Sequence, residues 1–144
     1  MAGEITGSGV TITCKPKLST NNQAVWESRI KDGTWFVVLD GATTTADEVG
    51  VAFGATNAAE FVGRLVGSTG DGSSFRVSIE TQGKIGYAEG GDTGAFASTD
   101  FGKFMKLNGS GKLIVDTALT AGNVIVVGGD KADPMVAWAW PVNK

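Results

Sequence analysis

The sequence has no histidine and a single cysteine, Cys14, among its 144 residues. Without histidine the chain lacks the commonest general base, every serine–histidine or cysteine–histidine nucleophile and most zinc sites. One cysteine cannot form an intrachain disulfide, and Cys14 lies on the apolar side of an alternating run, so we expect it to be packed inside. No catalytic residue, metal ligand or cofactor is therefore predicted.

Basic runs and long apolar runs are also missing. The 12 basic and 15 acidic residues give a net charge of -3, and no cluster of lysine or arginine could follow a phosphate backbone. No apolar run approaches the roughly 20 residues that span a bilayer, and the first residues lack the basic and apolar regions of a signal peptide. The expectation is a soluble protein, made in a cytoplasm, with neither nucleic acid nor membrane as partner.

Proline is scarce and glycine is abundant, with 3 and 22 residues respectively. This glycine share is about twice the usual value of roughly 7%, which indicates many turns. A chain of 144 residues fits one domain. We predict a single β domain over residues 10–144 and a flexible N-terminal arm over residues 1–9, a segment that simple terminal disorder would explain equally well.

Apolar residues alternate with polar ones in two clear runs, at residues 10–14 and 75–79, and each run predicts a half-buried strand. Residues 35–39 are continuously apolar and predict a strand buried on both faces, preceded by a hairpin at residues 31–34. Residues 101–140 predict four strands, of which the first two enclose a hairpin loop at residues 108–111.

Other segments are ambiguous. Residues 23–30 fit a strand or one helical turn, and residues 57–66 combine a capping-box spacing with glycines that favour a strand. We predict a loop at residues 67–73 and a turn at Gln82-Gly83. A long loop is predicted at residues 89–99, and long loops in compact domains are often functional. About eight strands with at most one helix predict an all-β fold, either a small glycine-rich β-barrel or a β-sandwich, with a flexible N-terminal arm.

Loop carboxylates are the remaining candidates for chemistry. A catalytic pair could be drawn from four aspartates, namely Asp92, Asp100, Asp130 and Asp133. Aspartates in glycine-rich loops usually bond their own backbone, so we expect turn formation rather than catalysis. Residues 67–72 lack the lysine of a P-loop, and neither Asp71 nor Asp92 has the spacing of a calcium-binding EF-hand.

Four tryptophans are conspicuous in a chain of this size: Trp26, Trp35, Trp138 and Trp140. Most tryptophans of a small β-protein belong to its core. The alternative is an exposed aromatic platform for a protein or a sugar ring. Trp140 is the best candidate for such a platform, and Trp35, at the start of an apolar run, is the worst.

From residue 61 onward the order of patterns is distinctive: FVGRLVG, a polar loop, FRVSIETQGKIGY, a long loop of small residues, FGKFMKLNGSGKLIVD, NVIVVGG and PMVAWAW. This order resembles the small β-barrel decoration, or cement, proteins of tailed-bacteriophage heads. The resemblance covers a little over half of the chain, and the first 60 residues match less well.

The resemblance implies a structural protein that binds the outside of an expanded phage head, as a homotrimer, and joins neighbouring subunits of the major capsid protein. Candidate contact residues lie in the arm, in the long loop and near the chain end, namely Gly3, Glu4, Ile5, Thr6, Asp92, Thr93, Phe96 and Trp140. The alternative is a carbohydrate-binding or tail-associated adhesion module in which Trp26, Trp138 or Trp140 stacks on sugars. An enzyme acting through loop aspartates is the third hypothesis.

Overall fold

A computed structural model describes residues 10–33, 35–54, 62–86, 101–107, 113–115, 120, 122, 124–129 and 134–139. Within these ranges the chain forms ten strands, one α-helix and a 3₁₀ turn at Gly72–Ser74. In chain order they are β1 (Thr11–Pro16), α1 (Gln23–Asp32), β2 (Phe36–Leu39), β3 (Gly50–Phe53), β4 (Gly63–Thr69), β5 (Arg76–Glu80), β6 (Gln82–Gly86), β7 (Met105–Leu107), β8 (Leu113–Val115), β9 (Val124–Gly129) and β10 (Pro134–Ala139). The predicted all-β class is confirmed.

The first five strands close into a barrel in the order β1-β3-β2-β4-β5, and β5 pairs with β1 to complete the circle. The β1–β3 pair is parallel, whereas the other four pairs are antiparallel. Closure removes the exposed edges that an open sheet would leave for aggregation. Of the two predicted architectures, the barrel is the one observed.

Alternation along the strands fills the barrel. The inward side chains of β5 and of the residue before it, Phe75, Val77 and Ile79, are fully buried, as predicted. They belong to a core made up of Cys14, Trp26, Val37, Val51, Val62, Leu65, Phe75, Val77 and Ile79. Burial, followed by the nearby Glu48 carboxylate, raises the pKa of the Cys14 thiol to about 11. Cys14 is a packed thiol, as expected.

Helix α1 resolves the first ambiguous segment. The Asn22 side chain accepts a hydrogen bond from the Val25 amide at 3.1 Å and begins the helix. Gly33 ends it in the left-handed conformation, at φ +72°, where glycine has no Cβ to clash. The predicted hairpin at residues 31–34 was wrong because Asp32-Gly33 closes a helix instead of joining two strands. The indole N–H of Trp26 donates to the carbonyl oxygens of Asn21 and Lys17 at 3.1 and 3.3 Å.

The predicted loop at residues 67–73 and the ambiguous segment at residues 57–66 both contribute to strand β4, Gly63–Thr69. Strand β4 continues to Thr69, which pairs with Arg76, so the loop predicted for residues 67–73 begins only at Gly70. The segment 57–66 enters β4 at Gly63, in agreement with the favoured strand, and residues 55–61 are outside the described ranges. The polar and glycine residues of this stretch are typical of a loop. They form a strand because neighbouring strands of the barrel supply backbone hydrogen-bond partners, which sequence patterns do not reveal.

The pair Gln82-Gly83 is not a turn but the beginning of β6. Gly83 lies opposite Trp138, and a Cβ at this glycine would sit 2.9 Å from Cζ2 of the indole ring. The glycine therefore permits close packing against a tryptophan rather than a change of chain direction. Two further differences concern β2, whose last residue Leu39 is 53% exposed instead of buried on both faces, and β3, which was not predicted.

The predicted hairpin after residue 101 is present. Strands β7 and β8 are antiparallel, with Met105 opposite Val115 and Leu107 opposite Leu113. Strands β6, β10 and β9 form a separate sheet. In β10 Val136 and Trp138 are buried. The hairpin loop predicted at residues 108–111 lies outside the described ranges.

One cluster connects the second sheet to the barrel. The indole N–H of Trp138 donates to the carbonyl oxygen of Glu80 at 2.9 Å, and the ring meets Phe36 edge to face at 5.1 Å. Arg64 donates to the Glu80 carboxylate at 3.1 Å and to the Gly33 carbonyl oxygen at 2.9 Å. A single arginine thus joins a barrel strand to the end of α1.

Candidate functional site

The contact residues that the sequence predicted all lie outside the described ranges: Gly3, Glu4, Ile5, Thr6, Asp92, Thr93, Phe96 and Trp140. The four candidate catalytic aspartates lie outside these ranges as well. These assignments stay predictions. A different site has to be sought among the residues that the structure places.

The described tryptophans are structural. Trp26, Trp35 and Trp138 are 0%, 8% and 4% exposed, respectively. The sugar-stacking hypothesis was therefore wrong for Trp26 and Trp138, because a buried indole face cannot meet a ligand. Arg29 covers the ring of Trp35, with its guanidinium carbon 3.8 Å from the ring centre.

Metal and membrane chemistry find no support in the placed residues. No group of three or more cysteine, aspartate or glutamate side chains that could hold a metal ion occurs within the described ranges. Asp71, one of the calcium candidates, accepts a hydrogen bond from the Gln23 amide at 2.8 Å and so joins α1 to the turn after β4. None of the helices in the described part of the chain combines the length and apolarity needed to cross a bilayer.

The candidate site is a groove of about 380 Å³ at one end of the barrel, between β1 and β5. Pairing of these strands ends at Cys14 and Val77. Beyond that point Lys15 and Pro16 pair only with β3, and Pro16 has no N–H to offer toward β5. The groove is lined by Lys15, Pro16, Lys17, Leu18, Ser19, Ala42, Thr43, Ser73, Phe75 and Arg76. The groove lies where backbone hydrogen bonds between β1 and β5 have ended and no longer hold the two strands together.

The groove has an apolar floor and a firmly held wall. Phe75 is fully buried beneath it, whereas Leu18 is 37% exposed at its rim. The wall at Thr43 belongs to a turn in which the Asp40 carbonyl oxygen accepts from the amides of Thr43 and Thr44, at 3.2 and 3.0 Å. The Asp40 carboxylate accepts a further hydrogen bond from the Thr43 hydroxyl. These bonds hold the wall in a fixed position.

Two of the three cations in the groove have carboxylate partners. Arg76 forms a two-pronged ion pair with Glu48, in which Nη2 lies 3.0 Å from Oε1. The hydrogen bond from Arg76 is the main reason that the pKa of Glu48 lies below its ordinary value of 4.5. Lys17 Nζ lies 3.9 Å from Asp40 Oδ1, at the outer limit of an ion pair.

Lys15 is the third cation. It makes no ion pair with the residues that the structure describes, although its charge contributes to the lowered pKa of Glu48. Three cations against two carboxylates leave the groove with one net positive charge, on a chain whose net charge is -3. The arrangement can bind a single anionic group next to an apolar one.

Sequence patterns did not identify this groove. Its lining comes from three separate stretches, at residues 15–19, 42–43 and 73–76. The local signal was limited to Lys15-Pro16-Lys17, a proline between two lysines at the end of an alternating strand. Barrel closure brings the stretches together, so their proximity is a property of the fold.

Comparison with known proteins gives no guide to this site. No protein-family model, curated protein or solved structure matches the chain. The resemblance to phage head decoration proteins therefore rests on the order of glycine, turn and β-branched patterns from residue 61 onward.

Proposed function

We propose that this chain is a structural protein of a phage head, which binds the outer surface of the expanded capsid and joins neighbouring subunits of the major capsid protein. The proposal rests on the resemblance from residue 61 onward, and the closed β-barrel, of which β4 and β5 belong to that stretch, is compatible with it. The buried tryptophans support it too, since they fill the interior instead of lining a catalytic or sugar-binding surface.

The physical role needs no active site. A protein that binds the mature shell, and binds the immature or broken shell less well, stabilises the mature shell by mass action. A closed barrel suits this role because little of the binding free energy is lost in ordering it. Copies joined as a homotrimer would add avidity without a new kind of contact.

Predicted contacts divide into two groups. The N-terminal segment, with Gly3, Glu4, Ile5 and Thr6, contacts a partner subunit, where it could add a strand to a sheet edge. The second group consists of the long loop, with Asp92, Thr93 and Phe96, and of Trp140. Partners are the major capsid protein and further copies of this chain on the virion exterior.

Co-sedimentation with expanded heads that have been stripped of their decoration tests the proposal. The purified chain should bind saturably, at a fixed ratio to the major capsid subunit, and the loaded heads should resist heating better than bare heads. A chain lacking residues 2–9 should lose this binding while its circular dichroism stays unchanged. Heads that neither bind the intact chain nor gain heat resistance would refute the proposal.

A further inference from the structure

The groove between β1 and β5 combines one uncompensated positive charge with an exposed apolar rim. Lys15 supplies the charge and Leu18 the rim. The N-terminal segment carries the complementary pair in adjacent positions, the carboxylate of Glu4 and the aliphatic side chain of Ile5. We propose that the groove is a docking site for the N-terminal segment of a second copy of this chain, with Glu4 on Lys15 and Ile5 against Leu18.

The path of the chain favours a second copy over the same copy. The Val10 carbonyl oxygen accepts from the amide and the hydroxyl of Thr81, at 2.7 and 2.8 Å, which fixes the point where the segment leaves the barrel. That point is at the Thr11 end of β1, whereas the groove is at the Pro16 end. A segment docking on its own barrel would have to reverse direction at once.

A reversed path would also take most of the length of the segment. The six peptide steps from Val10 back to Glu4 span at most about 20–22 Å when fully extended. The five steps from Val10 to Lys15 already cover about 16–17 Å of strand. A return path beside β1 would also meet β5, which pairs with β1 from Thr11 to Cys14. A segment from a second copy meets neither restriction.

A carboxylate suits the groove better than a nucleic acid does. Nucleic-acid grooves stack bases on exposed aromatic rings, but Phe75, the aromatic residue of this groove, is fully buried. Arg76 and Lys17 already face Glu48 and Asp40, so a chain of phosphates would meet both carboxylates. One carboxylate on one lysine forms a charge-assisted hydrogen bond without disturbing the existing pairs.

This docking goes beyond the capsid role and does not rest on it. The groove and the segment occupy different parts of the chain, so two copies can exchange segments reciprocally, or each copy can donate to one neighbour and accept from another. Such a head-to-tail contact forms a closed ring when its rotation allows, and a homotrimer is one such ring.

A charge exchange in the full-length chain tests the pairing. The wild-type chain should form an oligomer in light scattering and in sedimentation velocity. E4K and K15E should each dissociate about tenfold more readily, because each places like charges opposite one another, whereas the double variant E4K/K15E should regain association. K31E is the matched control, since Lys31 is exposed on α1 and does not line the groove.

Mixing the two single variants sharpens the test. In each single variant, residue 4 and residue 15 carry charges of the same sign, so the N-terminal segment is repelled by the groove of another copy of that variant. Between the two variants the charges are opposite, so the segment of one is attracted to the groove of the other. The mixture should therefore regain association with the two variants in strict alternation. A ring of three copies cannot alternate, so a trimer would retain one repelled contact. A wild-type chain that stays monomeric at every concentration, or a K15E chain that associates as the wild type does, overturns the proposal.

Disulfide trapping locates the contact. A chain carrying I5C mixed with one carrying L18C should form a disulfide-linked dimer on mild oxidation, while I5C mixed with V127C should not. Val127 is 40% exposed on the second sheet and serves as the control position. Cys14 is fully buried and will not compete. Equal yields from the two mixtures would count against the groove.

Discussion

Replacement of Arg64 by methionine should weaken the whole fold, because this side chain joins the barrel to the end of α1. Its guanidinium donates to the Gly33 carbonyl oxygen at 2.9 Å and to Glu80 Oε1 at 3.1 and 3.4 Å. The side chains of Arg64 and Glu80 are only 19% and 15% exposed. R64M retains most of the aliphatic stem and removes every donor.

The magnitude follows from what the substitution leaves behind. Removing one partner of a fully buried ion pair costs about 3–5 kcal/mol, mainly because the other charge stays buried. Residual exposure of both side chains lets water reach the Glu80 carboxylate, so we expect about 2–3 kcal/mol for R64M. R64K should cost less, since an ammonium group can still pair with Glu80 but does not have the forked geometry that also reaches Gly33.

Urea unfolding followed by tryptophan fluorescence measures this loss, with K31M as the control. Lys31 is exposed in the last turn of α1, so its replacement should cost at most about 0.5 kcal/mol. In a double-mutant cycle, R64M and E80Q together should cost less than the sum of the two single substitutions. An R64M loss of less than about 0.5 kcal/mol would refute the structural role of this pair.

Three further predictions concern other positions. G63A should cost about 1–3 kcal/mol, because its Cβ would lie 2.2 Å from the Glu80 carbonyl oxygen, whereas G67A on the same strand meets nothing nearer than 3.8 Å and should be nearly neutral in the same urea assay. Cys14, with its pKa raised to about 11, should react with a thiol reagent at neutral pH only as fast as the barrel opens, and rapid labelling of the folded chain would contradict its burial. Glu48 has a pKa lowered in the folded state, so it stabilises the fold above its ordinary value of 4.5 and loses that effect as the pH falls through the folded value. As the pH falls, the free energy of unfolding should therefore decrease less steeply for E48Q than for the wild type. Identical pH dependence of the two proteins below the ordinary pKa of Glu48 would exclude this contribution.

The groove offers a comparison between local and long-range information. Lys15 and Leu18 are close in sequence, and their position after an alternating strand was visible without a structure. Their relation to Thr43 and Arg76 depends on the β1–β3 and β1–β5 pairings, which the chain forms between separate segments. A site of this kind is detectable only after the strand order is known.

Helix α1 shows a different limit of prediction from sequence. Both of its boundary signals, Asn22 at the start and Gly33 at the end, were present in the sequence. A window of ten residues with one fully buried side chain, Trp26, gave too little periodicity to distinguish a helix from a strand. Gly33 next to Asp32 also matched a turn dipeptide, which explains the mistaken hairpin.

By itself, the sequence determined the all-β class, the burial of Cys14, the inward face of β5 and the pairing of β7 with β8. These features depend on side-chain alternation and on turns between neighbouring segments, and both act over a few residues. The tertiary structure alone decided the barrel closure, the role of Gly83 against Trp138 and the groove beside Lys15. The physical reason is that these features arise from pairing and packing between distant segments, whose free energy no local pattern contains.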